Sequence, residues 1–253
     1  MDIKKEIDLV AKMKNFCAGK RGKLFNLYIS GSHLYGWDSI DSDIDIRGAI
    51  MLDKEEFLGL GAPNEVFEPG IDGYDAVIFE MKKLVQLALK GNCNILEEIN
   101  APQFYKTAEF IKLKQLINNA FGKRGIYNSY RGLAEFNYKK FIKQGRNTIK
   151  KYLYVFRGLM SGIYCLETGQ IQPNIVQLNK RFKIKEVDEL IKSKIEGTED
   201  MQINVDEGRL DELIKDLFDK LDNAYLKCSM PEVPEQKDID EINKYLINLR
   251  LEK

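Results

Sequence analysis

The spacing of apolar residues predicts one helix and three strands in the first part of the chain. Apolar positions recur every three or four residues over 2–16, which is the spacing of an amphipathic helix. Three apolar, β-prone runs follow, and we expect strands there, at about 24–30, 44–52 and 76–79. A loop rich in glycine and proline, over 59–73, separates the last two. The pattern therefore predicts a small mixed sheet with flanking helices.

Helical spacing dominates the rest of the chain. We expect short helices at 80–90 and 93–99, and nearly everything after Thr107 is helical. The later candidate helices lie at about 107–119, 126–143, 147–167, 174–181, 186–196, 206–228 and 237–250. The fold class is therefore α/β (α+β), with a small mixed-sheet domain over 1–105 followed by an all-helical domain over 106–253.

Composition is typical of a cytoplasmic protein. The 253 residues are 44% hydrophobic and 31% charged, with no apolar run of membrane-spanning length and no signal-peptide pattern over 1–20. We therefore expect a cytoplasmic location and no membrane partner. The four cysteines are far apart in the sequence, which indicates reduced thiols. The single histidine argues against a histidine-rich zinc site and against serine hydrolase chemistry.

The formal net charge is zero, but basic and acidic residues are concentrated in different segments of the chain. Residues 120–157 hold ten basic side chains and one acidic one, whereas 186–253 hold nineteen acidic and ten basic ones. Tyrosines interleave with the basic residues at positions 127, 130, 138, 152 and 154. Such a surface suits phosphates and unpaired bases. The alternative is a pair of amphipathic helices whose tyrosines are buried and whose lysines are solvated.

Two polar segments lie between the first and second predicted strands. Residues 31–36 read Gly-Ser-His-Leu-Tyr-Gly, a tight turn whose backbone amides can face a phosphate, and 41–47 read Asp-Ser-Asp-Ile-Asp-Ile-Arg. The two-residue period of a strand sends Asp43, Asp45 and Arg47 to the same face. Carboxylates so close repel each other unless a cation lies between them, and oxygen ligands favour Mg²⁺ or Mn²⁺. The alternative is a solvated acidic turn.

A Gly-Ser pair, ten intervening residues and an Asp-Ile-Asp-Ile run, all within 31–46, resemble the signature of the DNA polymerase β-like nucleotidyltransferase superfamily. The longer pattern, Gly-Ser-x-x-Tyr-Gly continuing to Asp-Ser-Asp-x-Asp-x-Arg-Gly, is similar to its YcgL-type branch, some of whose members are linked to RNA repair. Likenesses at 80–96 and 150–157 extend the resemblance over about 24–180. His33 departs from that branch, where an arginine is expected. The resemblance implies that the first domain is a nucleotidyltransferase palm domain.

The resemblance also implies a metal site of three carboxylates. Asp43 and Asp45 would hold Mg²⁺ or Mn²⁺ together with a third carboxylate from a neighbouring strand, for which Asp75 is our choice. Asp72 and Glu80 remain alternatives for this third carboxylate. For Asp75 itself the alternative is a turn residue. Glu80 could instead cap the helix that begins there.

A set of nucleotide-binding residues completes the predicted site. Its members are Gly31, Ser32, His33, Arg47, Lys150, Lys151, Tyr154 and Arg157. The first four come from the glycine turn and the carboxylate strand. Asn147, Lys150, Tyr154 and Arg157 follow offsets of three, four and three residues on a helix, with Lys151 alongside. A lysine and an arginine two turns apart can therefore reach one polyphosphate. The alternative is that the tyrosine belongs to the core and the charges are solvated.

Two functions of different classes follow from these residues. The first is transfer of a nucleoside monophosphate from a nucleoside triphosphate to an acceptor hydroxyl by a two-metal mechanism, with an RNA end as the favoured acceptor and a protein side chain as the alternative. The basic stretch that contains Lys139, Lys140, Lys143 and Arg146 would bind the RNA backbone. The second is a nucleotide-binding sensor or scaffold with weak or no catalysis.

Overall fold

The structure is a computed structural model, and it describes residues 3–71, 73–146, 148–197 and 206–251. Asp72, an alternative third carboxylate, and Asn147, a member of the predicted helix face, lie outside the described residues. Within the described ranges, no helix is long and apolar enough to cross a membrane.

Five strands in the described part of the chain form one sheet: β1 (Gly22–Ile29), β2 (Asp45–Leu52), β3 (Val66–Phe67), β4 (Asp75–Glu80) and β5 (Gln103–Lys106). Their order across the sheet is β3-β4-β2-β1-β5, with β2 and β4 parallel and the other neighbours antiparallel. The predicted mixed sheet is thus confirmed. The sequence pattern misses β3, inside the predicted loop, and β5, because strands of two and four residues are too short for alternation to stand out.

The register of this sheet brings two distant carboxylates together. Asp45 opens β2 and pairs directly with Asp75, which opens β4. Because the two strands are parallel and the residues are register partners, both side chains lie at the same edge and on the same face. The backbone N–H of Ser30, just after β1, donates to the carbonyl of Asp45 at 2.8 Å. The glycine turn is thereby fixed to the same edge.

Helices cover both faces of the sheet and form the second half of the described chain. They are α1 (Ile3–Gly19), α2 (Gly31–Tyr35), α3 (Glu55–Leu58), α4 (Met81–Leu89), α5 (Cys93–Asn100), α6 (Ala108–Asn118), α7 (Lys123–Lys140), α8 (Ile149–Thr168), α9 (Ile175–Phe182), α10 (Lys185–Glu196), α11 (Glu207–Lys227) and α12 (Gln236–Leu251). A 3₁₀ turn at Ile142–Gln144 connects α7 to the segment before α8. The predicted order of a small sheet followed by helices is confirmed. The glycine turn itself is a short helix.

Two hydrophobic clusters lie on opposite faces of the sheet. On one face α1 packs through Leu9 and Met13 against the sheet. The other face, which carries Phe25 and Tyr28, shares a larger cluster with helices from α4 onward. Side chains from both sides of residue 105 therefore pack together, and the domain division there stays a prediction. The four cysteines are free thiols, three of them buried.

The central helix of the larger cluster is α8. Fourteen of its twenty residues are buried, so most positions on it face other protein atoms rather than solvent. A Cβ at Gly162 would lie 2.8 Å from the Cβ of Tyr130, so glycine allows α7 to approach α8 closely. This packing determines which polar side chains of α8 can reach a ligand.

Candidate active site

The glycine turn is built around one close contact. Gly31 has a φ of +64°, and a Cβ there would lie 1.9 Å from Asp45 Oδ2. No side chain fits in that space, so both the backbone conformation and the contact require glycine. The contact gives a physical reason for a glycine ahead of the carboxylate strand, since the turn packs its backbone directly against a carboxylate of β2.

Three carboxylates and one guanidinium meet at this edge of the sheet. Arg47 Nη2 lies 3.3 Å from Asp45 Oδ1 and 3.2 Å from Asp75 Oδ2, so the guanidinium bridges the two acids. Burial raises the pKa of Asp45, Arg47 opposes this shift, and the neighbouring carboxylates of Asp75 and Asp43 add to it. In the described residues, no three His, Cys, Asp or Glu side chains are arranged as a metal-binding cluster. The ionised form of Asp45 is therefore disfavoured at this edge despite the guanidinium beside it.

A cavity of about 290 Å³ opens beside these carboxylates. Its lining residues are Gly31, Ser32, Trp37, Ser42, Asp43, Asp45, Asp75, Lys150, Tyr154 and Lys194. Seven of them belong to the predicted set. The structure therefore brings the glycine turn, the carboxylates and the first turns of α8 to one site. Arg47, also predicted, does not line the cavity but donates to two of its lining residues, Asp45 and Asp75.

Lys194 is a cavity residue that the sequence reasoning missed. It lies on α10, is 3% exposed, and its Nζ donates to Ser39 Oγ at 3.1 Å. A lysine is rarely buried so fully without a charged or polar partner. The sequence does contain a signal, because Lys194 continues the apolar stripe of Val187, Leu190 and Ile191 at helical spacing. A cation on an apolar stripe faces the interior, so it is a candidate for binding an anion.

Arg157 does not line the cavity, and its position in the core favours a structural role over the predicted contact with the phosphates. Its side chain is fully buried, pairs with the equally buried carboxylate of Glu97, and lies 3.8 Å from the centroid of the Tyr35 ring. Arg157 shares a helix face with Lys150, as predicted, but seven residues carry it about 10 Å along the axis. That distance takes the guanidinium from the cavity into the core.

His33 and Lys151 lie next to the cavity rather than in it. His33 faces a separate cavity of about 560 Å³, and its Nδ1 lies 3.2 Å from Asp38 Oδ2. Lys151 is half-buried, with its Nζ 4.0 Å from the centroid of the Phe141 ring. Burial lowers the pKa of Lys151, and the charge of Lys150 adds to this effect. Neither side chain lines the carboxylate cavity, because each lies at an adjacent position that points to another side of its helix.

Glu80, an alternative third carboxylate, lies at the far end of β4 from Asp75. Its side chain accepts a hydrogen bond from the backbone of Lys82 at 2.7 Å, which caps α4, and it pairs with Arg250 at 2.6 Å. The capping role considered for Glu80 is the one that the structure shows. Of the carboxylates considered for the third position, Asp75 is the one placed beside Asp45 among the described residues.

Glu98, a buried acid behind the sheet, makes the stability of the folded protein depend on pH. Burial raises the pKa of Glu98 to about 7, although Arg47 and a hydrogen bond of 2.9 Å from the Tyr28 hydroxyl lower it, while Glu97 and Asp45 raise it further. An unfolded chain releases this proton near pH 4.5. Between those pH values the folded protein binds the extra proton, so the free energy of unfolding decreases as the pH rises.

We expect Glu98→Gln to remove this decrease, which amounts to at most about 3 kcal/mol between pH 4.5 and 7. A glutamine still accepts from Tyr28, so the packing is retained. Denaturant titrations across this pH range measure the effect. A variant with the same pH dependence as the wild type would show that another group titrates. Glu56→Gln, at a partly exposed acid paired with Arg21, serves as the control and is expected to leave the dependence unchanged.

Several known proteins are similar to this chain. A family model described as RlaP, RNA repair pathway DNA polymerase beta family, matches residues 4–248. The chain is 28% identical to protein YcgL of Bacillus subtilis over 233 residues, which cover 87% of this chain and 86% of that protein. It is 34% identical to protein MJ0002 of Methanocaldococcus jannaschii over 149 residues, which cover 57% of this chain and 60% of that protein.

Among solved structures, a nucleotidyltransferase-like protein from Exiguobacterium sibiricum 255-15 is also similar. The likeness covers 98% of this chain and 80% of that one, at 12% sequence identity and a TM-score of 0.33. A score this low does not bear on fold or function. The family match, in contrast, includes the glycine turn, the carboxylate strand and the helices that close the cavity, and it confirms a nucleotidyltransferase-like function. The chain belongs to the RNA repair pathway DNA polymerase beta family, RlaP.

Proposed function

We propose that this protein transfers a nucleoside monophosphate from a nucleoside triphosphate to the hydroxyl of an RNA end. The observation that carries this proposal is the single cavity that joins three carboxylates to two lysines and a glycine turn. Carboxylates and cations facing one small space are the two kinds of group that metal-assisted phosphoryl transfer needs. The family description supports RNA as the acceptor.

The carboxylates fit a divalent cation by their chemistry. Asp43, Asp45 and Asp75 offer hard oxygen donors at one edge, and the pKa of Asp45 is already raised by burial and by its acidic neighbours. These three residues would hold Mg²⁺ or Mn²⁺, which when bound acidifies an acceptor hydroxyl and polarises a phosphate. Arg47 holds Asp45 and Asp75 at a common distance through its Nη2. It thereby keeps two of the metal-binding side chains in place.

Other cavity residues would position the nucleotide. Lys150 and Lys194 approach the cavity from α8 and α10, so they would neutralise the β- and γ-phosphates as pyrophosphate leaves. The ring of Tyr154, which the fully buried Trp37 meets edge to face at 5.4 Å between centroids, would form an aromatic wall for the base. In the reaction the acceptor oxygen bonds to the α-phosphorus, and the bond between the α-phosphorus and the oxygen bridging to the β-phosphorus breaks, which releases pyrophosphate. The proton of the acceptor hydroxyl is released to solvent.

A labelling experiment tests the proposed function. The purified protein is incubated with each α-labelled nucleoside triphosphate, Mg²⁺ or Mn²⁺, and a pool of small RNAs. Label on RNA supports the proposal. Label on the protein alone identifies a side-chain acceptor instead, and nucleotide binding without any transfer identifies a sensor. Either of these two results would overturn RNA end modification.

Lys194→Ala is expected to raise the Michaelis constant for the nucleotide about tenfold or more while leaving the affinity for RNA unchanged. The reason is the loss of a desolvated, charged contact worth about 1.5 to 3 kcal/mol. Initial rates at varied nucleotide concentration measure the change. Lys192→Ala, at an exposed position of the same helix, is the matched control and is expected to behave as the wild type. An unaltered Michaelis constant in a folded Lys194→Ala protein would place the triphosphate elsewhere.

A further inference from the structure

A row of aromatic rings and lysines leads away from the carboxylate cavity. Tyr154 lines the cavity, and the Nζ of Lys151 lies 6.0 Å from its ring centroid and 4.0 Å from that of Phe141. The Phe141 ring meets the Phe136 ring edge to face at 5.9 Å. Lys140 lies 4.7 Å from the Phe136 centroid and 5.8 Å from that of Phe141. We call these five residues the aromatic track.

The outer end of the aromatic track is open to solvent. Phe136 is 53% exposed, and in the part of the chain that the structure describes it is the only exposed aromatic side chain. It lines a surface cavity of about 430 Å³ with Lys139 and Lys140. An exposed phenylalanine between lysines lies in a suitable setting for a planar ligand that carries negative charge.

Four of the five tyrosines singled out in the sequence, all except Tyr154, are not available for this role. Tyr130 and Tyr152 are buried. The hydroxyl of Tyr127 donates to Asp222 at 2.8 Å, and that of Tyr138 donates to Asp211 at 2.9 Å, both on α11. These four tyrosines therefore pack within the protein, as in the alternative, and binding of bases by them stays a prediction. Acidic α11 covers this side of α7, which explains why the basic and acidic halves of the sequence are segregated.

The same helix divides the predicted basic residues into two groups. Lys143 forms an ion pair with Asp211 of α11, so its charge is neutralised within the protein. Lys140 is exposed and lies over the rings of the aromatic track, and Arg146 is also exposed. Lys139 is exposed as well, with Glu135 at 3.2 Å. The positive charge open to a ligand therefore lies on the Phe136 side of α7.

We propose that the aromatic track is the path of a single-stranded RNA acceptor, with a base stacked on Phe136 and backbone phosphates near Lys140 and Lys151. This proposal builds on the proposed function and adds the place where the acceptor binds. A ring can stack only on an unpaired base, so the ligand is single-stranded. The track begins at the cavity wall, so a strand bound along it would present its end to the carboxylates.

The test measures binding of a fluorescent single-stranded RNA of about ten nucleotides without nucleoside triphosphate. Phe136→Ala is expected to weaken this binding at least about fivefold, and Phe136→Tyr to retain it within about twofold, because tyrosine keeps the stacking surface. Ile111→Ala, at an exposed apolar residue of α6, is the matched control and is expected to leave binding unchanged. Lys140→Glu is expected to reduce the slope of affinity against salt by about one ion.

The two proposals fail in different ways. If Phe136→Ala binds RNA as tightly as the wild type, the aromatic track is not the acceptor path, even if label transfer to RNA is found. If the wild type does not bind single-stranded RNA, or binds a duplex equally well, the track is likewise excluded. If binding depends on Phe136 but no label reaches RNA, the track stands and the proposed transfer is overturned. Melting temperatures and nucleotide binding show that each variant is folded.

Discussion

Asp45→Asn is expected to lower label transfer at least about a hundredfold, since the proposed metal site would lose an anion, at a cost of about 3 kcal/mol of transition-state stabilisation or more. Asp45 lies at the centre of the site: one carboxylate oxygen packs against Gly31, the other faces Arg47, and its backbone pairs with Asp75. Asparagine keeps the shape of this side chain and removes only its charge. Packing around the glycine turn is therefore retained.

The stability of this variant gives a second, independent result. Burial and acidic neighbours raise the pKa of Asp45, which means that the folded state disfavours its ionised form. Without bound metal, Asp45→Asn is expected to melt at the same temperature as the wild type or at a higher one. Asp8→Asn, at an exposed position of α1, is the control with the same change of charge. Wild-type transfer by a folded Asp45→Asn protein under limiting metal would exclude Asp45 as a metal ligand.

Arg157→Met is expected to destabilise the protein by about 3 to 5 kcal/mol, because it leaves the carboxylate of Glu97 buried without its cation. For a chain of this size the loss corresponds to a decrease of about 10 °C in melting temperature. Thermal and denaturant unfolding measure it. In the double variant Arg157→Met with Glu97→Leu, both charges are absent, and much of the stability is expected to return.

This prediction separates two roles for the same residue. The sequence predicts that Arg157 binds the triphosphate, whereas the structure places it in the core against Tyr35 and Glu97. A folded and stable Arg157→Met protein whose Michaelis constant for the nucleotide rises sharply would favour the first role. Loss of stability that the double variant restores would favour the second. Activity measured without stability would confuse them.

The carboxylate edge could be predicted from local sequence, because a strand has a simple period. That period places Asp45 and Arg47 on one face of β2, and the next apolar run brings in Asp75 as a neighbour. Asp43 precedes β2 and reaches the cavity from the preceding segment. Lys194 could not be placed in the same way. It is far from the motif in sequence, and only the packing of α10 against the rest of the chain brings it to Ser39.

How deeply a side chain is buried is the other property that the sequence pattern does not predict. Helical spacing correctly aligns Lys150, Tyr154 and Arg157, but a helix face says nothing about where the solvent ends along its axis. The same limit applies to the tyrosines of α7, which alternate with basic residues in sequence yet are buried or bonded to α11. Nothing in the sequence pattern distinguishes Phe136, and only its exposure in the structure makes it a candidate binding residue.

The pairing of Arg157 with Glu97 and its stacking on Tyr35 have a consequence for how the two halves of the chain behave. Tyr35 closes α2, the short helix that starts at Gly31, and Arg157 lies on the same helix as Lys150. The turn that supports the carboxylates and the helix that carries Lys150 are thus joined through the core. Nucleotide bound in the cavity is therefore expected to slow proteolysis of α8 as well as of the glycine turn.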